Sequence, residues 1–257
     1  MIHIIKNSDN EDLCLQIYEP LVKTNRPKFA IVCHGITGYK EQDVILCATN
    51  TLINSGYRVI TFDCRNSRGE SYNNGQCATL TSMEEDLQTV INWAIKRYFY
   101  TEPFLLVGHS LGGAVVLDYA QKHVQAVSGL ILLSTIFDGN EFLQNMKNYS
   151  SEFLYQLQNG GIIRTRNKIN CFLDDTFLKN LVLYDLYKDA KSLTMPVLMI
   201  TGDKDTSSTA ENNKRFHKYL KCQNEFFVLS DCSHVYDKLQ NQKKLGDRIQ
   251  NFLLNFS

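Results

Sequence analysis

The chain has 257 residues, of which 44% are hydrophobic, and it carries 27 basic and 27 acidic residues. This length and hydrophobic content allow one large domain with a buried core and exclude a disordered chain. A balanced charge without a basic stretch argues against nucleic acid or an anionic membrane as the main partner, because both demand a basic surface.

Strand-like and helix-like segments alternate along most of the chain. Apolar runs predict strands at about 2–6, 13–18, 29–33, 57–62, 103–107, 127–133, 197–201 and 226–229. Helical periodicity predicts helices over about 43–54, 82–98, 114–122 and 238–252, and a further helix after Ser208. We expect Thr81 with Glu84, and Ser208 with Glu211, to form the capping boxes of two of these helices.

This alternation predicts an α/β fold with a mainly parallel central sheet and helices on both faces. It breaks down between Leu133 and Pro196, where aromatic residues are dense and Gly160-Gly161 begins a predicted small hairpin. We interpret about 136–190 as a lid inserted after the sixth strand, so that 1–257 form a single domain. The alternative is an ordinary pair of helices whose aromatic side chains only pack on the sheet.

The most informative segment is Val107-Gly108-His109-Ser110-Leu111-Gly112-Gly113. It has the spacing Gly-x-Ser-x-Gly and lies between a predicted buried strand and a predicted helix. A serine at such a junction lies on a sharp turn, and the unpaired N–H groups of the helix N-terminus lie behind it. The pattern is typical of the nucleophile of an acyl-transfer enzyme, and a tight turn without chemistry is the alternative.

A serine hydroxyl needs a base to take its proton, and the base needs a carboxylate to hold its tautomer. Asp203 and Asp205 follow the predicted strand at 197–201, and His234 follows the last predicted strand. The carboxyl ends of parallel strands meet at one edge of a sheet, so we expect these groups near Ser110. The residues therefore predict Ser110 as nucleophile, His234 as base and one of the two aspartates as the acid.

Acyl transfer also needs two N–H donors aimed at the oxygen on which negative charge develops. The backbone N–H of Leu111, directly after the serine, is the first candidate for this oxyanion hole. The backbone N–H of Ile36, in the loop after the strand at 29–33, is the second. We expect His34 to shape that loop and His109 to point to the other side of the serine turn.

Four parts of the chain resemble the α/β-hydrolase superfamily: His34-Gly35, the Gly-x-Ser-x-Gly segment, Asp205 and His234. The loop that begins at His34-Gly35 and the small lid are similar to those of the feruloyl and cinnamoyl esterases. The resemblance implies an α/β-hydrolase fold and a serine carboxylesterase without a metal or organic cofactor. It also favours Asp205 over Asp203 as the acid. One segment, 65–71, departs from the glycine-rich run of these relatives and so changes the shape of the pocket.

The eight cysteines include no Cys-x-x-Cys pair, and several lie in apolar runs. We therefore expect free buried thiols in a reducing compartment. The segment Met1–Lys6 is too short and too soon polar for a signal peptide, and no apolar run approaches the ~20 residues of a membrane span. These features predict a cytoplasmic protein without a membrane span.

The expected substrate is a small-molecule ester with a short, medium or aromatic acyl group. An acyl thioester, a monoacylglycerol or a lysophospholipid would use the same triad, so these alternatives stay open. A peptidase of the prolyl-oligopeptidase type is disfavoured, because such enzymes typically bring a separate domain or an anchor for a peptide terminus and nothing in this sequence supplies the length for one. A non-catalytic binding protein is disfavoured because every part of the predicted site is present. A homodimer contact through the lid is also left open.

Overall fold

The computed structural model describes residues 1–22, 26–149, 155, 161–164, 170–173 and 175–255. The strands are β1 (Ile2–Lys6), β2 (Asp12–Tyr18), β3 (Lys28–Cys33), β4 (Tyr57–Phe62), β5 (Phe104–His109), β6 (Val127–Leu133), β7 (Gly161–Arg164), β8 (Asn170–Leu173), β9 (Val197–Gly202) and β10 (Asn224–Leu229). The helices are α1 (Asp43–Asn54), α2 (Leu80–Ile95), α3 (Leu111–Lys122), α4 (Gly139–Tyr149), α5 (Asp175–Val182), α6 (Ala210–His217) and α7 (Leu239–Asn255).

The central sheet has the strand order β1-β2-β4-β3-β5-β6-β9-β10. Strands β1, β2 and β4 pair antiparallel, and every pairing from β4 to β10 is parallel. This arrangement confirms the predicted α/β fold with a mainly parallel sheet. The chain reverses its direction of travel across the sheet between β3 and β5, which are adjacent, and such a switch point leaves a crevice at the carboxyl ends of the strands.

Apolar layers cover both faces of the sheet because side chains alternate along each strand. On β3, Phe29 and Ile31 pack with apolar residues of α2 and α3 on one face. Ala30 and Val32, between them in sequence, pack with residues of α1 and α7 on the other face. Burial on both sides explains why the central strands read as continuous apolar runs.

Helix α2 begins two residues before the predicted start, and its predicted capping box is wrong. Thr79 is the N-cap residue: its Oγ1 accepts the Ser82 N–H at 3.1 Å, and the Ser82 hydroxyl accepts the Thr79 N–H at 3.0 Å. The pair Thr81 and Glu84 has the same spacing, but it lies within the first turn of the helix. The reciprocal cap is thus made by a matching pair two residues earlier.

The cap of α6 also differs from the prediction by one residue. Thr209 caps this helix, and its side chain accepts the N–H of Asn212 at 3.2 Å. Ser208, the predicted cap, is buried, and its hydroxyl donates to the carbonyl oxygen of Thr135. A tertiary hydrogen bond therefore takes the side chain that the local pattern assigns to the helix.

The segment between β6 and β9, here called the insertion, holds α4, the hairpin β7–β8 and α5. The predicted hairpin is confirmed by antiparallel pairing from Gly161 with Leu173 to Arg164 with Asn170, while residues 165–169 lie outside the described residues. Helices α4 and α5 share a small apolar cluster with Ile136, which precedes α4, and Cys77, which precedes α2. Its members are Cys77, Ile136, Phe142, Met146, Phe177 and Leu181.

The prediction of free thiols holds for part of the cysteines. Cys14, Cys33, Cys47, Cys64, Cys222 and Cys232 are free. For Cys77 the prediction is wrong, because this residue is disulfide-bonded. Among the described residues, no helix combines the length and apolar character that crossing a membrane requires.

Candidate active site

The turn between β5 and α3 holds Ser110 in a backbone conformation that residues other than glycine rarely adopt. Its φ is 56° and its ψ is −122°. The Ser110 N–H donates to the carbonyl oxygen of Leu133 at 2.9 Å, and the Ser110 carbonyl accepts the N–H of Gly113 at 3.1 Å. These bonds to β6 and to the helix stabilise the sharp turn and place the side chain at the carboxyl edge of the sheet.

The glycines on either side of Ser110 are required by close backbone contacts. A Cβ on Gly108 would lie 2.3 Å from the carbonyl oxygen of Gly112, and a Cβ on Gly112 would lie 2.1 Å from that of His34. Both distances are far below van der Waals contact with backbone atoms. The spacing Gly-x-Ser-x-Gly therefore reflects the close packing of α3 against the preceding strand, β5, and against the loop after β3.

The structure brings Ser110, His234 and Asp205 together in one chain of hydrogen bonds. The Ser110 Oγ lies 2.9 Å from His234 Nε2, and His234 Nδ1 lies 2.8 Å from Asp205 Oδ2. The three residues follow β5, β10 and β9, so the ends of three different strands position them. Asp203 does not contact this chain, and its carboxylate accepts the N–H of Cys232 at 3.2 Å.

Asp205 is held as a carboxylate by its surroundings. Its other oxygen, Oδ1, accepts the N–H groups of Ser207 at 3.0 Å and Ser208 at 2.8 Å. Burial alone would raise the pKa of Asp205, but His234 and the Ser208 N–H outweigh burial and hold the pKa below its ordinary value. An ionised Asp205 places the imidazole proton on Nδ1, which leaves Nε2 free to accept the Ser110 hydroxyl proton.

His109 contacts the loop that carries His234, and the sequence did not predict this contact. It does not contact the Ser110 hydroxyl, as expected, but its Nε2 lies 2.8 Å from the carbonyl oxygen of His234. Burial and the neighbouring His234 lower the pKa of His109 to about 3. The ring is therefore neutral, and its N–H donates to that carbonyl. Tyr236, two residues after His234, donates to the carbonyl oxygen of Ile200 at 2.8 Å. This bond joins the same loop to β9.

The loop after β3 approaches the serine closely. A Cβ on Gly35 would lie 2.8 Å from the Cβ of Ser110. Ile36 follows in this loop, and Leu111 is the first residue of α3. In the described part of the chain, neither of these two backbone N–H groups has a hydrogen-bond acceptor. Both therefore have the availability that an oxyanion hole requires.

His34 shapes this loop, as predicted. Its Nδ1 lies 2.7 Å from the carbonyl oxygen of Gly35, and its Nε2 accepts the N–H of Cys64 at 3.0 Å. Burial lowers the pKa of His34, so the ring is neutral with its proton on Nδ1. The imidazole thus joins the loop after β3 to the loop after β4.

A cavity of about 470 Å³ opens beside Ser110 and His234. Its apolar wall comes from the insertion, through Phe142, Met146 and Phe177. The loops after β3 and β4 contribute another part of the lining. Its side chains include Ile36, Thr37, Tyr39, Gln42 and Arg68.

The segment 65–71, which departs from the resembling families, contains two arginines in different environments. Arg65 is buried and faces away from the cavity, since its Nε donates to Asp86 Oδ1 at 2.8 Å and its Nη1 to Asp9 Oδ2 at 2.8 Å. Arg68 lines the cavity. The departure thus places a cationic side chain in the wall of the pocket.

One group of potential metal ligands exists among the described residues, formed by Cys14, Asp63 and Glu70. The ammonium group of Lys40 already lies among them, 2.9 Å from Asp63 Oδ2 and 2.5 Å from Glu70 Oε2. A metal ion would have to displace this buried cation. The group is therefore best described as an ion-pair network that anchors the loop after β4.

The fold is a mainly parallel sheet with a strained serine at a strand-to-helix turn, and this serine lies within hydrogen-bond distance of a histidine that in turn contacts a buried aspartate. This combination is typical of α/β hydrolases. Residues 31–160 match the family described as alpha/beta hydrolase fold. The chain belongs to this family.

Curated relatives and solved structures agree with this fold. The phospholipases ABHD3 of Bos taurus and Homo sapiens are 28% identical over 127 residues, a match that covers 46% of this chain and 30% of each phospholipase. Est1E from Butyrivibrio proteoclasticus, in a structure with ferulic acid bound, superposes with a TM-score of 0.85 at 20% identity over 99% of this chain and 98% of its own. Mouse alpha/beta hydrolase domain-containing protein 10 gives 0.78 at 17% identity over 100% of both chains.

Proposed function

We propose that the protein is a serine hydrolase that cleaves carboxylic esters through an acyl-enzyme intermediate. The observation that carries the proposal is the continuous chain from Ser110 Oγ to His234 Nε2, at 2.9 Å, and from His234 Nδ1 to Asp205 Oδ2, at 2.8 Å. Both distances suit proton transfer and orientation without rearrangement. The positive φ of Ser110 supports the proposal, because backbone strain of this kind concentrates at functional sites.

In the proposed reaction, His234 Nε2 takes the hydroxyl proton while Ser110 Oγ attacks the ester carbonyl carbon. The carbonyl oxygen gains negative charge and accepts hydrogen bonds from the N–H groups of Ile36 and Leu111. His234 then donates its proton to the departing alkoxide, which leaves as the alcohol and gives the acyl-enzyme. Water repeats the attack with His234 as base, and the acid and free Ser110 result. Asp205 stays ionised throughout and stabilises the imidazolium.

The proposed substrate has an acyl group that fits the apolar wall of the cavity. Phe142, Met146 and Phe177 provide this wall, and we propose that the insertion at about 136–190 acts as a lid over the site within a single domain. The ferulic acid bound to Est1E favours an aromatic acyl group, and the phospholipase relatives favour a longer aliphatic one. A lysophospholipid or monoacylglycerol lipase is therefore the second candidate.

A cytoplasmic location is part of the proposal and rests on six free thiols. The disulfide of Cys77 weighs against it. Alkylation of intact cells followed by mass analysis of the Cys77 peptide distinguishes the two states. An alkylated Cys77 supports the reducing compartment, and a peptide that alkylates only after reduction contradicts it.

Hydrolysis of p-nitrophenyl esters from acetyl to palmitoyl, together with methyl ferulate, tests the function. We expect the wild type to turn over at least one of these esters and Ser110→Ala to lose about 10⁵–10⁶ in kcat. Ser128→Ala is the matched control, because Ser128 is exposed near the start of β6, at the opposite edge of the sheet. Equal activity of wild type and Ser110→Ala would contradict the proposal.

A further inference from the structure

The lining of the cavity includes a cation that the proposed reaction does not use. Arg68 lines the same cavity as Ser110. Its guanidinium lies 4.9 Å from the centre of the Tyr39 ring, and its backbone N–H donates to the carbonyl oxygen of Gly38 at 3.1 Å. The ring contact and the backbone bond fix the side chain against the loop after β3, so Arg68 is a positioned group rather than a freely solvated one.

The hydrogen-bonding capacity of Arg68 is unused within the described part of the protein. Its Nε–H is buried and has no hydrogen-bond partner. The nearby arginine Arg65, by contrast, is surrounded by carboxylates of four residues. An arginine that lines a cavity and forms no ion pair or side-chain hydrogen bond within the described residues points to a ligand that supplies an anionic partner.

The carboxylates of the adjoining loop are committed to another cation. Asp63 and Glu70, on either side of Arg68 in sequence, both contact the ammonium group of Lys40. Asp43 and Asp237 also line the cavity, but both are exposed to solvent, and water weakens their attraction for Arg68. Among the described residues, no carboxylate forms an ion pair with Arg68.

A second polar atom in the same wall also lacks a partner. Gln42 lines the cavity, and its Oε1 is buried without a hydrogen bond. Gln42 and Arg68 thus add polar side chains to the lining of this cavity, which suits a polar ligand better than a purely hydrocarbon one.

We propose that Arg68 binds a phosphate or carboxylate group on the alcohol part of the ester, so that the enzyme prefers esters of anionic alcohols. The inference rests on the proposed function. Phe142, Met146 and Phe177 offer apolar lining for the acyl chain, and Arg68 offers a cation in the same cavity for the charged alcohol. The planar guanidinium binds such oxyanions through two parallel N–H···O bonds. The substrate class is thus an acyl ester of a phosphorylated or carboxylated alcohol.

Two matched substrate pairs test this inference. The first is 1-octanoylglycerol against 1-octanoylglycerol 3-phosphate, and the second is the octanoyl ester of 3-hydroxypropionamide against that of 3-hydroxypropionate. Each pair keeps the acyl group and the ester and changes only the charge of the alcohol. We expect wild-type kcat/KM to favour the anionic member of at least one pair by about 10- to 100-fold, with a preference that falls as salt is raised. The pair that shows it identifies phosphate or carboxylate.

Variants of the arginine separate its role from general effects. Arg68→Gln is expected to bring the preferred ratio within about threefold of unity, because the loss of kcat/KM for the anionic ester exceeds any change for the neutral one. Arg68→Lys is expected to restore part of the preference, because lysine offers a point charge without the planar fork. Arg97→Gln is the matched control: Arg97 is exposed and packs on the Trp93 ring at 4.3 Å, outside the cavity, so wild-type ratios are expected.

The outcomes separate this inference from the proposed function. A wild-type ratio near unity in both pairs, or a preference that survives in Arg68→Gln, overturns the role of Arg68 even when the neutral esters are hydrolysed. If no ester is hydrolysed, the proposed function fails, and binding decides the inference. We then expect octyl phosphate or octanoate to raise the melting temperature of Ser110→Ala more than octanol does, and Arg68→Gln in that background to abolish the difference. Equal shifts in both proteins overturn it.

Discussion

Replacing Gly35 with alanine tests whether the loop after β3 must touch the nucleophile. The added Cβ would lie 2.8 Å from the Cβ of Ser110 and 3.1 Å from the carbonyl oxygen of His109. Ordinary contact begins at 3.4 Å, so the loop has to retreat by roughly half an ångström. Since Ile36 follows directly, its N–H moves away from the site of the oxyanion. Loss of one such donor costs about 2.7–4 kcal/mol of transition-state stabilisation, or about 10²–10³ in kcat.

Steady-state hydrolysis of p-nitrophenyl butyrate, with thermal melts in parallel, measures this effect. We expect a fall mainly in kcat, and a loss of about 1–3 kcal/mol in the free energy of unfolding from the overpacked contact. Gly246→Ala in α7 is the control, because its Cβ would meet only the Thr51 hydroxyl, at 3.1 Å, far from the site. Wild-type kcat in Gly35→Ala, with an unchanged melt, would refute the close approach and the donor role of Ile36.

Three further changes have distinct expected results. Asp205→Asn should lower kcat by about 10³–10⁴ in steady-state assays, because an amide cannot stabilise the imidazolium, whereas Asp203→Asn should keep kcat within about threefold. Burial and the charge of Asp118 raise the pKa of Glu84 to about 8. The folded state therefore loses stability as pH rises from about 4 through 8, where Glu84 must give up its proton. Thermal melts of Glu84→Gln should show a gain in unfolding free energy over wild type that grows to about 1–2 kcal/mol by pH 9. A difference that does not depend on pH would contradict this. Tyr236→Phe should lower the unfolding free energy by about 0.5–1.5 kcal/mol in urea, because the Ile200 carbonyl keeps the Ser134 N–H but loses its second donor, and an unchanged midpoint would contradict that role.

The residues nearest Ser110 were predictable because chemistry and packing impose the same local pattern. The glycines at 108 and 112 are required by backbone contacts, and a strand-to-helix junction is visible in the apolar periodicity. The acid was less certain, since Asp203 and Asp205 both follow β9 and only the resemblance favoured the second. The structure separates them through the 2.8 Å contact of Asp205 with His234.

Features that depend on distant partners were not predictable. The His109 ring contacts the carbonyl of a residue 125 positions away, and no local pattern reports such a contact. The cap of α2 was misplaced because Thr81 with Glu84 fits the sequence pattern of a capping box, whereas the structure uses Thr79 with Ser82, where a serine stands in place of the usual Glu or Gln. Position 68 showed a departure from the resembling families, but only the tertiary structure places Arg68 in the cavity wall.

Labelling with a fluorophosphonate probe, followed by peptide mapping, tests the central claim most directly. The probe reacts with a serine oxygen that an adjacent base activates. We predict one adduct, on the peptide that contains Ser110, and a labelling rate at least about 10²-fold lower in His234→Ala and unchanged in Ser128→Ala. An unlabelled Ser110 in the folded wild type, or a rate that does not depend on His234, would contradict the account of Ser110 as an activated nucleophile.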